Sequence, residues 1–173
     1  MIEATLHDAE VQRLIERLTR RLGNLTPVMH EIGQRYERRV LENFEGSHAP
    51  DGTPWARLSA VTLMLALSQK KRLGKRGLTK KGKTYLGNKK PLIESGRMRS
   101  RIHYQAGADS VKVGLSGIEY AAIHQFGGKA GRNRKVTIPA RPYLAMNTAG
   151  GLALADRDRR MVVEVLRRHL DQA

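Results

Sequence analysis

Three segments of this 173-residue chain place apolar residues at the spacing of one helix face, two near the amino terminus and one at the carboxyl terminus. A helix with such a stripe has to bury it against a neighbouring element. The pattern therefore predicts an N-terminal helical hairpin and a C-terminal helix. The three stripes consist of Val11, Leu14, Ile15, Leu18 and Leu22; of Val28, Ile32, Tyr36, Val40 and Phe44; and of Leu152, Ala155, Arg159, Val162, Val163, Leu166 and Leu170.

The ends of the first two helices carry capping signals. Thr5, with Asp8 three residues later, resembles a capping box, and Gly23 is suited to end the first helix. Thr26 and Pro27 predict the start of the second helix, with the threonine as its cap and the proline at the first helical position. The two helices are therefore expected to be joined by a very short turn.

Between the helical ends, the chain predicts a small antiparallel sheet and hence one α+β domain spanning residues 1–173. Residues 100–106 and 110–115 are short runs able to form strands, with a glycine-containing turn between them. The other predicted elements are a turn-rich break at 46–54, a short apolar helix at 60–67, helical turns at 118–126 ended by Gly127 and Gly128, and a strand at 135–138.

The net charge of +16 is concentrated in the middle of the chain. Residues 70–90 contain 10 basic residues and no acidic one, and residues 91–141 contain 9 basic and 3 acidic residues. Because residues 70–90 have little to bury and repel one another, we expect a mobile basic arm or insertion. Its basic residues are Lys70, Lys71, Arg72, Lys75, Arg76, Lys80, Lys81, Lys83, Lys89 and Lys90.

Three interpretations of this basic arm remain open. It can contact DNA phosphates, which gives a salt-dependent affinity that does not read sequence. It can also dock on an acidic neighbouring protein and become ordered on binding. The third interpretation is a solvated loop without a specific partner. Tyr85 is the arm's one aromatic residue, so stacking on single-stranded bases is not indicated.

The sequence predicts neither an active site nor a bound cofactor or metal. It contains no cysteine, and its six histidines are scattered without an HExxH or similar ligand spacing. His48 and Asp51 share a loop, but two groups do not make a metal site. No apolar run approaches the roughly 18 residues needed to cross a bilayer, and no secretory signal is recognisable, so no membrane partner is expected.

Five short motifs occur in order within residues 25–150. They are PDGTPW at 50–55, LIESG at 92–96, VKVG at 111–114, YAAIHQFGG at 120–128 and IPARPYL at 138–144. Their order and gaps resemble the phage virion morphogenesis, or tail-completion, family, which includes the Mu-like proteins. The long cationic stretch before residue 91 departs from this family, whose members commonly have a shorter segment there.

The resemblance implies a structural virion protein of the neck or tail end, with no known catalytic residue or cofactor. Such a protein would act in tail completion or head–tail joining as a homo-oligomeric ring, with a hexamer as the expected number. Its expected partners are other copies of itself, other phage neck, tail and head-connector proteins, and phage DNA in the lumen. The expected location is the virion, after assembly in the host cytoplasm.

Trp55, Arg141 and Tyr143 are the predicted subunit-interface residues. Trp55 is also interpretable as a core anchor, since large rings are usually buried within a subunit. Arg141 lies between two prolines in stiff extended backbone, which can project it toward a neighbour or merely cross the surface. His124 and Gln125 are expected to hydrogen-bond loops, with His124 structural. The alternative functions are a sequence-nonspecific DNA-binding protein associated with phage DNA packaging and, more weakly, a nuclease or toxin.

Overall fold

The computed structural model describes residues 8–68, 72–74, 77–149 and 151–172, and within these ranges the chain is α+β as predicted. The helices are α1 (Ala9–Leu22), α2 (Thr26–Gly46), α3 (Ala60–Ser68), α4 (Lys80–Asn88), α5 (Ala121–Phe126) and α6 (Asp156–Gln172). The strands are β1 (Leu73–Gly74), β2 (Gly77–Leu78), β3 (Ile102–Ala106), β4 (Val111–Leu115), β5 (Gly128–Ala130), β6 (Val136–Ile138), β7 (Met146–Thr148) and β8 (Gly151–Ala153).

The predicted helical hairpin is formed by α1 and α2. The carboxylate of Asp8 accepts hydrogen bonds from the backbone N–H groups of Glu10 and Val11, at 2.9 and 3.2 Å, and so caps α1. Gly23 ends α1 with a positive φ of 68°. Thr5 lies outside the described residues. Thr26 is the first residue of α2 rather than its cap, and its N–H is bound by the Asn24 side chain.

The two N-terminal helices and α6 pack together through their apolar stripes. Leu18, Val40 and Leu166 are completely buried, whereas Leu22 at the end of the first stripe is 43 % exposed. The C-terminal helix begins later than predicted, at Asp156, because the strands Met146–Thr148 and Gly151–Ala153 pair before it. Glu31 joins α2 to α6 by pairing with Arg168 and, at 2.9 Å, with His169.

The predicted hairpin of residues 100–115 is present as β3 and β4 and packs on α2. Gly33 of α2 makes this close approach possible. A Cβ atom at that position would lie 2.3 Å from Cδ2 of Tyr104 in β3. Tyr104 faces Val113 across the hairpin, so the glycine fixes where the sheet meets the helix. The strands of the described residues form four separate two-stranded antiparallel sheets rather than one small sheet.

The segment predicted as a basic arm contains secondary structure where it is described. Thr79 caps α4, its Oγ1 accepting a hydrogen bond from the N–H of Gly82 at 3.1 Å. Gly82 is buried against the carbonyl of Arg72, which a Cβ would approach to 2.3 Å. Four of the predicted contact residues, Lys70, Lys71, Lys75 and Arg76, lie outside the described residues. The arm's mobility stays a prediction.

Candidate functional site

Three of the five sequence motifs, at 50–55, 120–128 and 138–144, meet at the buried segment 141–145, which we call the motif junction. Trp55, which ends the first motif, donates its indole N–H to the carbonyl of Pro142 at 2.7 Å. From α2, the Asn43 amide donates to the carbonyl of Tyr143 at 2.9 Å, and the Tyr36 hydroxyl donates to the carbonyl of Leu144. Residues distant in sequence therefore satisfy consecutive backbone carbonyls of one buried segment.

Gln125 completes the hydrogen bonding of the junction from α5. Its Oε1 accepts the backbone N–H groups of Tyr143 and Leu144, both at 3.1 Å. Its Nε2 donates to the carbonyl of Ala145 at 2.7 Å and to Oδ1 of Asn147 at 3.0 Å. The side chain is completely buried, and all four of its hydrogen-bonding positions are used. The sequence-based interpretation that Gln125 hydrogen-bonds a loop is confirmed.

The Arg141 side chain points into the subunit and hydrogen-bonds another segment of the same chain. It is only 4 % exposed, and its Nε and Nη2 donate to the carbonyls of Ala56 and Arg57 at 2.9 and 3.1 Å. Burial lowers the pKa of its guanidinium from the usual value. The backbone of this segment does run along the surface, since Pro139 and Ala140 are exposed, while the role of Arg141 in a subunit interface stays a prediction. The flanking prolines stiffen the backbone, and the guanidinium is directed inward to the carbonyls of Ala56 and Arg57.

The other two predicted interface residues are also inside the subunit. Phe44 packs between them, with its ring centroid 5.6 Å from that of Trp55 and 5.2 Å from that of Tyr143. Tyr143 is completely buried, and its hydroxyl donates to the carbonyl of Ala121 at 3.2 Å. Burial raises the pKa of that hydroxyl well above its usual value. Trp55 thus acts as a core anchor, the second of its two interpretations.

His124 adjoins the junction without taking part in its side-chain hydrogen bonding. Its ring meets the edge of Tyr120 with centroids 5.9 Å apart, and its buried Nδ1 has no hydrogen-bond partner among the described residues. Burial, together with the positive charge of Arg141, lowers the pKa of His124 and so favours the neutral ring. The described part of the chain holds no cluster of three or more metal-ligating side chains.

Three of the predicted contact lysines form an exposed cationic surface on α4: Lys80, Lys81 and Lys83. The other three described members are engaged within the subunit. Arg72 lies 3.4 Å above the ring centroid of Tyr85, Lys89 pairs with Glu94, and Lys90 donates to the carbonyl of Glu45 at 2.6 Å. A second exposed basic group lies in β5 and in the loop that joins it to β6, and it comprises Lys129, Arg132, Arg134 and Lys135.

The helix α3 exposes apolar side chains that the sequence interpretation did not single out. Val61, Met64 and Leu65 are 69, 59 and 62 % exposed, and they share one helix face because they lie at i, i+3 and i+4. Leu67 is the one residue of α3 that is buried. The signal was available in the sequence, since the nine residues from Ala60 to Ser68 include no charged side chain. We call this element the apolar helix.

A cleft of about 310 Å³ opens on a different part of the subunit, between α1, α2, α6 and the β3–β4 hairpin. Its walls are mainly aliphatic, with Ile15, Val111, Val113 and Leu154 only partly buried. Asp109 and Ser110 form part of its rim. We call it the apolar cleft. Among the described helices, none is long and apolar enough to cross a membrane.

Comparison with known proteins places the chain in a family. The profile of the phage virion morphogenesis family matches residues 6–171. The chain is also 33 % identical over 147 residues to the Mu-like prophage FluMu G protein 2 of Haemophilus influenzae, an alignment that covers 84 % of this chain and 85 % of that protein. No solved structure matches the chain significantly.

The matched region extends beyond residues 25–150, where the five motifs occur, and takes in α1 and nearly all of α6. The resemblance seen in the motifs is thereby confirmed and widened to almost the whole chain. Residues of three of the five motifs meet at the junction, so these motifs lie together in the fold. The chain belongs to the phage virion morphogenesis family, whose role in the phage is structural and lies in assembly of the particle.

Proposed function

We propose that the protein completes the tail or joins it to the head, as a ring of identical subunits at the neck of the particle. The observation that carries this proposal is the apolar helix, which has three large apolar side chains more than half exposed in the single subunit. Exposed apolar surface of this kind is typical of protein–protein contact sites. Family membership supplies the context of virion assembly in which such a contact would form.

The mechanism we propose is association without chemistry. At the junction, where three of the motifs meet, donors and acceptors satisfy one another and leave Gln125 with no group to offer a substrate. His124 is half-buried with a lowered pKa, and the Arg141 guanidinium is hydrogen-bonded to two carbonyls. These arrangements favour a positioning role over a catalytic one.

A closed ring arises when one heterologous interface repeats around an axis, so each subunit needs two different, complementary surfaces. The apolar helix and the apolar cleft are two such surfaces. Other neck, tail and head-connector proteins would contact the faces of the ring, with a hexamer as the expected number of subunits. The exposed lysines of α4 would then be available to DNA in the lumen or to an acidic neighbour.

The test is complementation of phage particles that lack the protein. Extracts from a phage with the gene removed should contain heads and tails that fail to give infectious particles, and adding the purified protein should restore infectivity. Native mass spectrometry of the purified protein should show a closed ring. Absence of the protein from purified virions and tails, together with normal particle yield without it, would contradict the proposal.

A second candidate function is sequence-nonspecific DNA binding during packaging. It is favoured by Lys80, Lys81 and Lys83, which are exposed in the first turn of a helix that has no acidic residue. Replacing all three by glutamine should weaken duplex binding and make log K less steeply dependent on log salt, by about 0.9 for each phosphate that the variant leaves unneutralised. Tight stoichiometric binding by a monomer or dimer would favour this function over ring assembly.

A further inference from the structure

The apolar helix is on the surface of the subunit although its composition suits an interior. Seven of its nine residues are Ala, Val, Leu or Met, the other two are Thr62 and Ser68, and six of the nine are exposed. A helix that is apolar on all sides is normally buried. The start of the helix is also held in place, because Arg141 binds the backbone just before it and Ser59 caps its first turn. Such a helix requires a partner that covers it.

A second copy of the chain suits this helix, because the same subunit carries both the uncharged apolar helix and a separate, mainly aliphatic cleft. Two copies each carrying a net charge of +16 repel one another, so a contact between them has to keep their basic surfaces apart. Residues 60–68 provide an uncharged surface of that kind. An acidic partner protein would instead gain more from the exposed lysines of α4 or from the basic β5–β6 loop.

The apolar cleft has the size and lining to receive this helix face. An apolar cavity of about 150 Å³ accommodates a benzene-sized group, so a cleft of about 310 Å³ accommodates roughly two large aliphatic side chains. None of the described lining residues comes from α3, so the helix does not fill the cleft of its own subunit. The two surfaces are therefore distinct and can join one copy to the next.

We propose that the apolar helix of one subunit inserts Met64 and Val61 into the apolar cleft of the next subunit, with Leu65 packing against the edge of the cleft. The contact is head to tail, so it can repeat around a closed ring in which every helix occupies the cleft of a neighbouring subunit. It rests on the ring assembly proposed above and specifies its interface. The helix is the anchor of that interface, with surrounding surface needed to reach the roughly 1,200–2,000 Å² of a stable contact.

Cysteine crosslinking provides a direct test, because the chain contains no cysteine of its own. Met64→Cys lies on the helix and Ile15→Cys lies in the cleft, and neither position is completely buried. Particles are assembled with the full-length double variant as their sole source of the protein and treated with a short bismaleimide. We expect a ladder of crosslinked oligomers from the double variant and monomers from each single variant. Val111→Cys replaces Ile15→Cys if the latter folds poorly.

The matched control pairs Ile15→Cys with Gln34→Cys, an exposed position on α2 that belongs to neither surface. This control should stay monomeric. A crosslinked dimer from Met64→Cys alone would show a symmetric helix-to-helix contact and overturn the proposal. A crosslink from residue 64 to a different particle protein would overturn it as well. Particles that contain the double variant but give only monomers would refute this interface and leave ring assembly standing.

Absence of the wild-type protein from particles would instead remove the proposed function, and this inference with it. Solution measurements further distinguish failure of the proposed interface from failure of the proposed function. Met64→Asp should raise the dissociation constant for self-association by about 100-fold, since it removes a buried aliphatic side chain and buries a charge. Gln34→Asp should change the constant by less than about threefold. An unchanged constant for Met64→Asp in sedimentation experiments, with normal folding, would contradict the proposal.

Discussion

Replacing Gln125 by methionine tests whether the motif junction is held by hydrogen bonds or by packing. The side-chain volumes are similar, but methionine lacks the amide. The N–H groups of Tyr143 and Leu144 and the carbonyl of Ala145 would lose their partner. All three residues are at most 1 % exposed, so water cannot replace the amide. Each unsatisfied buried group costs about 1–3 kcal/mol, and with partial relaxation we expect a loss of about 3–5 kcal/mol in total.

That loss is a large part of the roughly 5–15 kcal/mol by which a native domain is stable. Packing alone predicts a much smaller effect, because a volume-conserving change in a core usually costs less than about 1.5 kcal/mol. The free energy of unfolding is measured by urea denaturation followed by circular dichroism, with the slope m checked for two-state behaviour. Gln105→Met, at an exposed position of β3, is the matched control and should stay within about 0.5 kcal/mol of wild type.

The result that would refute this reasoning is a loss below about 1.5 kcal/mol for Gln125→Met with an unchanged m value. The backbone of residues 143–145 would then find other partners easily, and the junction would owe its geometry to the rings of Phe44, Trp55 and Tyr143. A loss of the expected size, with the control unchanged, would show that the amide of one α5 residue holds this segment in place.

Three further predictions concern acid stability, the basic segment and His124. The Arg159 hydrogen bond lowers the pKa of Asp8 from 3.8 to about 2, so its stabilisation is complete above about pH 4 and lost as the pH falls through 2. Asp8→Asn should therefore flatten the pH dependence of the unfolding free energy in that window; an unchanged profile would contradict this. Tyr85 holds α4 against Arg72 and Glu94, so Tyr85→Ala should speed tryptic cleavage at residues 80–83 severalfold by gel assay, whereas equal rates would disprove this docking. His124→Asn should still enter particles, and complete loss of infectivity with normal folding and incorporation would point to chemistry instead.

The helices and the central hairpin could be predicted because their signals are local. The stripe from Val11 to Leu18 repeats at helical spacing, and the hairpin of residues 102–115 has short apolar runs on either side of a glycine turn. Asp8 and Gly23 mark the ends of α1 with side-chain and backbone chemistry that does not depend on the rest of the fold. In contrast, helix α4 was not predicted, because the ten basic residues between positions 70 and 90 indicate a mobile segment. Thr79 nevertheless provides an ordinary N-terminal cap for this helix.

The direction of the motif side chains could not be predicted, because their partners are distant in the sequence. Arg141 binds carbonyls 84 and 85 residues away, and Trp55 binds one 87 residues away. The two prolines beside Arg141 correctly indicate extended backbone, but a stiff backbone does not determine which way a side chain points. Only the tertiary fold, which leaves two unpaired carbonyls opposite the guanidinium, decides that it turns inward.

The inward direction of Arg141 connects the family motifs to the proposed assembly surface. Ala56 and Arg57, whose carbonyls the guanidinium binds, lead directly into the apolar helix, and Trp55 before them is tied to Pro142. The junction therefore sets the position from which the helix extends, while its own residues stay buried. A motif residue can thus be essential for assembly without touching a neighbouring subunit. The motifs would then support the proposed surface from within the subunit, and the uncharged residues 60–68 would form the surface itself.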